Sequence, residues 1–88
     1  MNLAWASEAW TDYERWRDTD PKVHERINAL IQDIAASPFK GIGKPEPLKY
    51  DLSGWWSRRI TGEHRLVYRV TGKDKDRRLE ILSCRYHY

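Results

Sequence analysis

Between Glu46 and Tyr88 the chain gathers the residue types needed to break a phosphodiester. It has a carboxylate at Glu46, cations at Lys49, Arg58, Arg59, Arg65 and Arg69, an imidazole at His87, and aromatic rings at Tyr86 and Tyr88. Cleaving RNA without a metal requires a base for the ribose 2′-hydroxyl proton, cations for the charge gathering on the phosphorus oxygens, and an acid for the leaving 5′-oxygen. Glu46 is the candidate base, Lys49, Arg59 and Arg65 the candidate phosphate clamps, and His87 the candidate acid; Tyr86 or Tyr88 can stack on a base. Arg58 joins them as a substrate-binding candidate, because four arginines (Arg58, Arg59, Arg65, Arg69) on two paired strands repel one another and planar guanidinium forks suit phosphate. Each has a plainer structural alternative. Glu46 can be a solvated loop carboxylate, Arg58, Arg59 and Arg65 can form surface ion pairs with Asp51 and Glu63, and His87 can be a frayed residue beside the last one.

These side chains need a scaffold, and the stretch from Trp55 to Val70 supplies its centre. It reads as two strands joined at Thr61-Gly62-Glu63. With a three-residue loop Ile60 pairs with His64, and Arg59 lies opposite Arg65 on one face; a two-residue loop would separate them. Upstream, residues 2–6 form a short apolar strand, Ser7 offers an N-cap, and a first helix runs to about residue 18 with Trp10, Tyr13 and Trp16 facing the core. Thr19-Asp20-Pro21 breaks the helix and restarts it, with Asp20 as cap and Pro21 at the first position. Val23, Ile27, Leu30, Ile31 and Ile34 then mark an apolar stripe that Pro38 ends. Residues 37–47 are a loop, rich in Gly and Pro, in which Pro45 and Pro47 stiffen the backbone around Glu46. Gly41-Ile42-Gly43-Lys44 lacks the first glycine and the Ser/Thr of a phosphate-binding loop. Residues 48–50 form a short strand, 51–54 a turn, 72–78 a charged turn and 79–86 the last strand. The order predicts a single α+β domain over residues 1–88: an N-terminal strand, a helical hairpin, then a mainly antiparallel sheet of three to four strands, with the helices on one face.

Charge is unevenly divided. Residues 1–43 hold five Lys/Arg and seven Asp/Glu, whereas residues 44–88 hold eleven and six. This favours a polyanion on the face built from the second half, although a solvated basic face gives the same asymmetry. Cys84 is the single cysteine, so no intrachain disulfide forms, and its apolar strand makes it a small core residue. His24 and His64 have no partner at metal-ligand spacing, and neither a metal nor another cofactor is expected. No apolar run approaches a membrane span and no secretory pattern opens the chain, so a soluble cytoplasmic protein is expected.

Gly41 to Tyr50, then Leu52-Ser53-Gly54-Trp55-Trp56-Ser57-Arg58-Arg59-Ile60, Glu63-His64-Arg65-Leu66-Val67-Tyr68 and Cys84-Arg85-Tyr86-His87-Tyr88 closely resemble the YoeB toxins of the RelE-like superfamily. The resemblance covers nearly the whole chain, including the Trp-rich first helix and the Thr19-Asp20-Pro21 break. It implies a RelE-like fold and the toxin of a type II toxin–antitoxin pair, a ribosome-dependent endoribonuclease that cleaves mRNA in the A site. By position it implies Glu46 as general base, His87 as general acid, Arg65 as the transition-state arginine, Lys49 and Arg59 as supporting cations, and Tyr88 as a substrate-positioning aromatic. It further implies a 2′,3′-cyclic phosphate product, a YefM-like antitoxin with a flexible acidic tail, and a homodimer. The turn at residues 72–78 is longer than the family's usual one; its lysines and arginines could alter contacts with ribosomal RNA, and the final motif is left intact. The competing class is a non-catalytic binding toxin or RNA-binding module of the same fold, as in the gyrase-inhibiting branch, which lacks Glu46, Arg65 and His87 as a set.

Overall fold

The computed structural model describes residues 1–86. His87 and Tyr88, expected as the acid and the positioning aromatic, lie outside the described residues. Strand β1 (Asn2–Trp5) is followed by helices α1 (Ser7–Thr19) and α2 (Pro21–Ala36), with the single residues Ala6 and Asp20 as joints. Pro21 occupies the first helical position as expected. Asp20 caps α2 through its carbonyl, which accepts from Val23 and His24 N–H at 3.0 and 3.2 Å; no side-chain cap bond forms. Ser7, expected to cap α1, is its first helical residue, and Ala6 holds the cap position.

Val23, Ile27, Leu30 and Ile34 of α2 are buried. At about 1.5–3 kcal/mol for each fully buried aliphatic side chain, this stripe is the main anchor of the helical hairpin. Helix α1 buries only Ala9 fully and rests on the partly buried rings of Tyr13 and Trp16. Trp10, expected in the core, is 45% exposed and meets Trp5 edge-on at 5.5 Å between ring centroids.

The remaining strands are β2 (Glu46–Pro47), β3 (Trp56–Arg59), β4 (Arg65–Thr71) and β5 (Arg78–Ser83). They form a five-stranded sheet in the order β1-β5-β4-β3-β2. Three pairings are antiparallel and β1 with β5 is parallel, so the α+β expectation holds with a mixed sheet. The strand expected at residues 48–50 is displaced to Glu46–Pro47, and Tyr50–Leu52 is a 3-10 turn entered with Tyr50 at φ 58°. An edge strand tolerates Pro47 because its missing N–H breaks no ladder bond towards the sheet interior. The last strand, expected to continue to residue 86, ends at Ser83.

Alternation divides the sheet into two faces. Leu66, Tyr68, Leu79 and Ile81 pack with Ile27, Leu30, Ile34 and Cys84 beneath the helices. Ser57, Arg59, Arg65, Val67, Arg69 and Glu80 therefore belong to the opposite face.

Candidate active site

The register collects the site on that second face. Glu46 lies opposite Ser57, Ser57 and Arg59 share a side of β3, and Arg59 lies opposite Arg65. The three-residue loop expected at Thr61-Gly62-Glu63 is what produces this alignment: Ile60 N–H donates to His64 O at 3.0 Å. Glu46 and Arg59 are exposed, and Arg65 is half-buried. Among the described residues, Arg65 Nη1 and Ser57 Oγ are buried without a hydrogen-bond partner. A buried guanidinium nitrogen with no acceptor is costly, so this arrangement favours an incoming anionic oxygen. Lys49 is exposed on the turn after β2, where Glu46, Lys49, Tyr50 and Leu52 line an open groove. A carboxylate and three cations thus border one surface that the helices leave uncovered.

Arg58 is elsewhere. Expected to face substrate, it is fully buried on the helix side of the sheet, where alternation places it with Trp56. Its guanidinium ion-pairs with Asp33 and donates to the carbonyls of Ser37, Lys40 and Ile42 at 2.7, 3.1 and 3.1 Å. Its Nε donates to the Tyr68 hydroxyl at 3.1 Å, and that hydroxyl donates to Pro38 O at 2.7 Å. The Arg58 hydrogen bond, aided by one from Ile42 N–H, holds the Asp33 carboxyl below its ordinary pKa. Burial pushes the Tyr68 hydroxyl up. Arg58 is therefore a brace for the loop leading to Glu46, replacing the surface ion pair with Asp51 or Glu63 that offered its other reading. The brace requires Gly41, at φ 129°, because a Cβ there would lie 2.0 Å from Asp33 Oδ2. At the loop's end Arg59 N–H donates to Gly43 O at 2.6 Å, which delivers the chain to Pro45 and Glu46 beside β3.

Arg69 is also occupied. It pairs with Glu80 across the β4–β5 ladder and lies over the Trp55 ring, 4.4 Å from its centroid. Of the four clustered arginines, Arg59 and Arg65 remain for an anion; neither has a carboxylate partner among the described residues. Tyr86 is half-exposed at φ 58°, and its hydroxyl accepts from Arg85 Nη2 at 3.0 Å.

The family model described as the YoeB-like toxin of bacterial type II toxin–antitoxin systems matches residues 5–88. The chain belongs to the YoeB-like toxins. The toxin YoeB of Escherichia coli strain K12 is 57% identical over 88 residues, covering all of both chains. A solved YoeB/ParE toxin from Agrobacterium tumefaciens superposes with a TM-score of 0.98 at 55% identity, again over the whole of both chains. The Staphylococcus aureus YoeB dimer gives a TM-score of 0.90 at 43% identity, covering 100% of this chain and 98% of that one. The same organism's YoeB–YefM complex gives 0.87 at 42%, with the same coverage.

Within this YoeB-like toxin, two features escaped the sequence reading. One is the inward Arg58, whose signal was available in the alternation of Trp56-Ser57-Arg58-Arg59. The other is His64, which meets the segment after β5 through contacts far apart in sequence. No helix among the described residues is long and apolar enough to cross a membrane.

Proposed function

We propose that this toxin is a ribosome-dependent endoribonuclease, working in the bacterial cytoplasm, that cleaves mRNA in the A site and so stops translation. Glu46 takes the proton from the ribose 2′-hydroxyl, whose oxygen attacks the adjacent phosphorus. Arg65, with Arg59 and Lys49, stabilises the charge on the nonbridging oxygens. The bond to the 5′-oxygen breaks, and His87 donates the proton that this oxygen takes up. The products are a 2′,3′-cyclic phosphate and a 5′-hydroxyl, and no metal enters the step. Tyr88 positions the substrate and Tyr86 offers a ring for stacking. Arg58 has no part in binding in this reading. The toxin is held in check by a YefM-like antitoxin and assembles as a homodimer, as the S. aureus complex and dimer do.

The observation that carries the reading is the alignment of Glu46, Arg59 and Arg65 on the sheet face away from the helices, with a buried Arg65 nitrogen that has no acceptor among the described residues. A sparse set of this kind depends on an external frame to align the RNA, which the ribosome supplies. The test is to incubate purified toxin with programmed bacterial ribosomes and map mRNA ends by primer extension. Cleavage at the A-site codon is expected, lowered at least ~10²-fold in Glu46→Gln. Intact mRNA with translation still blocked would replace this reading with that of a non-catalytic binding toxin.

A further inference from the structure

After Ser83 the chain leaves the sheet, and the segment that leads to His87 is held by the Cys84 thiol donating to Ala9 O at 3.4 Å, by the Arg85–Asp12 ion pair at 3.8 Å, and by three further hydrogen bonds. Trp16 Nε1–H donates to Cys84 O at 3.0 Å, Arg65 N–H donates to Tyr86 O at 3.1 Å, and Tyr86 N–H donates to His64 Nδ1 at 2.7 Å. The last is the only one of the three whose acceptor is a side chain. Accepting at Nδ1 places the imidazole proton on Nε2, which lies 3.6 Å from the Glu63 carboxylate. The ring is packed as well as bonded: its centroid is 4.8 Å from that of Trp16, edge-on, and 5.1 Å from that of Tyr86, and its side chain is 11% exposed. Its backbone is fixed from both sides, by Thr61 Oγ1 accepting from His64 N–H at 3.0 Å and by Ile60 N–H.

His64 immediately precedes β4 and packs its ring on Trp16 of α1, on the helix side, whereas Arg65 opens β4 with its side chain on the opposite face. Arg65 turns its guanidinium to the site while its N–H grips Tyr86; His64 grips the same residue from the other side. We propose that His64 is a positioning residue, a clasp that fixes the backbone of Tyr86, the residue from which the chain runs on to the proposed acid His87. This rests on the nuclease reading for its purpose, though not for its geometry. Tyr86 at φ 58° has a backbone conformation that L-residues adopt reluctantly, and the paired bonds from His64 and Arg65 are what hold it there.

The side-chain chemistry allows a sharp test. Asparagine carries its amide oxygen on Cγ, as histidine carries Nδ1, whereas the polar atoms of glutamine correspond to the Nε2 end and leucine has none. His64→Leu and His64→Gln are expected to lower the single-turnover cleavage rate on ribosomes by about 10²-fold, with ribosome affinity unchanged, because a misplacement of ~1 Å carries a penalty of that size. His64→Asn is expected to stay within about threefold of wild type, since the acceptor is kept. In parallel, hydrogen exchange at the Tyr86 amide, read by NMR on the free toxin, should speed up at least ~10-fold in His64→Leu and His64→Gln but not in His64→Asn. Wild-type cleavage by His64→Gln, equal loss in the Asn and Gln variants, or unchanged Tyr86 exchange in His64→Gln would each overturn the proposal. If His64→Leu fails to fold, the Gln and Asn pair decides. Failure of the wild type to cleave would overturn the nuclease reading instead, and the exchange rates would still judge the clasp.

Discussion

Arg59 on β3 stands directly opposite Arg65 on β4, so two guanidinium side chains leave neighbouring positions on the same sheet face. Like charges so placed repel, by up to about 1 kcal/mol. Arg59→Thr should therefore raise the melting temperature of the free toxin while slowing mRNA cleavage. Thermal melts beside ribosome assays check this. A variant less stable than wild type would mean that the pair is not repulsive.

Arg58 is the opposite case, a cation that the fold cannot release. Arg58→Ala leaves the carbonyls of Ser37, Lys40 and Ile42 without their donor and opens a cavity beneath the loop, a loss of at least about 3 kcal/mol. Urea unfolding followed by tryptophan fluorescence should show it. Arg59→Ala, lacking any such network and relieving the repulsion with Arg65, should unfold at or slightly above the wild-type midpoint. If the two variants behaved alike, Arg58 would not be the brace described above.

Asp33 makes the same brace sensitive to acid. Because the Arg58 hydrogen bond lowers its pKa in the folded protein, the unfolded chain binds the proton first as pH falls. The contribution is complete above the ordinary carboxylate value of 3.8 and is lost as pH drops through the lower native value. Wild type and Asp33→Asn should therefore differ most in unfolding midpoint at neutral pH and converge as pH falls below the ordinary carboxylate value of 3.8. A constant difference from pH 7 to pH 2 would contradict the linkage.

Cys84 is buried, and burial pushes its thiol up to about 12. Thiolate is the reactive form, so a disulfide reagent at pH 8 should label the folded toxin only as fast as it opens, and label it promptly in denaturant. Prompt labelling of the native protein would show that the segment after β5 detaches readily.

Much of this architecture could be read from local chemistry. Asp20-Pro21 and the 23, 27, 30, 34 stripe specify the second helix, and the Thr61-Gly62-Glu63 turn specifies which arginines share a face. Arg58 was misassigned because clustered charge outweighed strand alternation; its partner Asp33 lies 25 residues earlier in sequence, beyond any local pattern. Glu46–Pro47 is too short a strand to carry a period, so its place was two or three residues off. His64 and Tyr86 meet across 22 residues, and only the folded chain brings them together. His87 and Tyr88 lie outside the described residues, and their roles stand as proposals.

The place of β5 in the sheet has a consequence for how the protein is made. β5 is synthesised after every other strand, yet it lies between β1 and β4 and pairs with both. Until it emerges from the ribosome, β1 has no neighbour and the helical hairpin has only part of the surface it covers. Long-range pairing of this kind also closes slowly. A nascent chain therefore carries Glu46, Arg59 and Arg65 for some time before it carries a finished sheet.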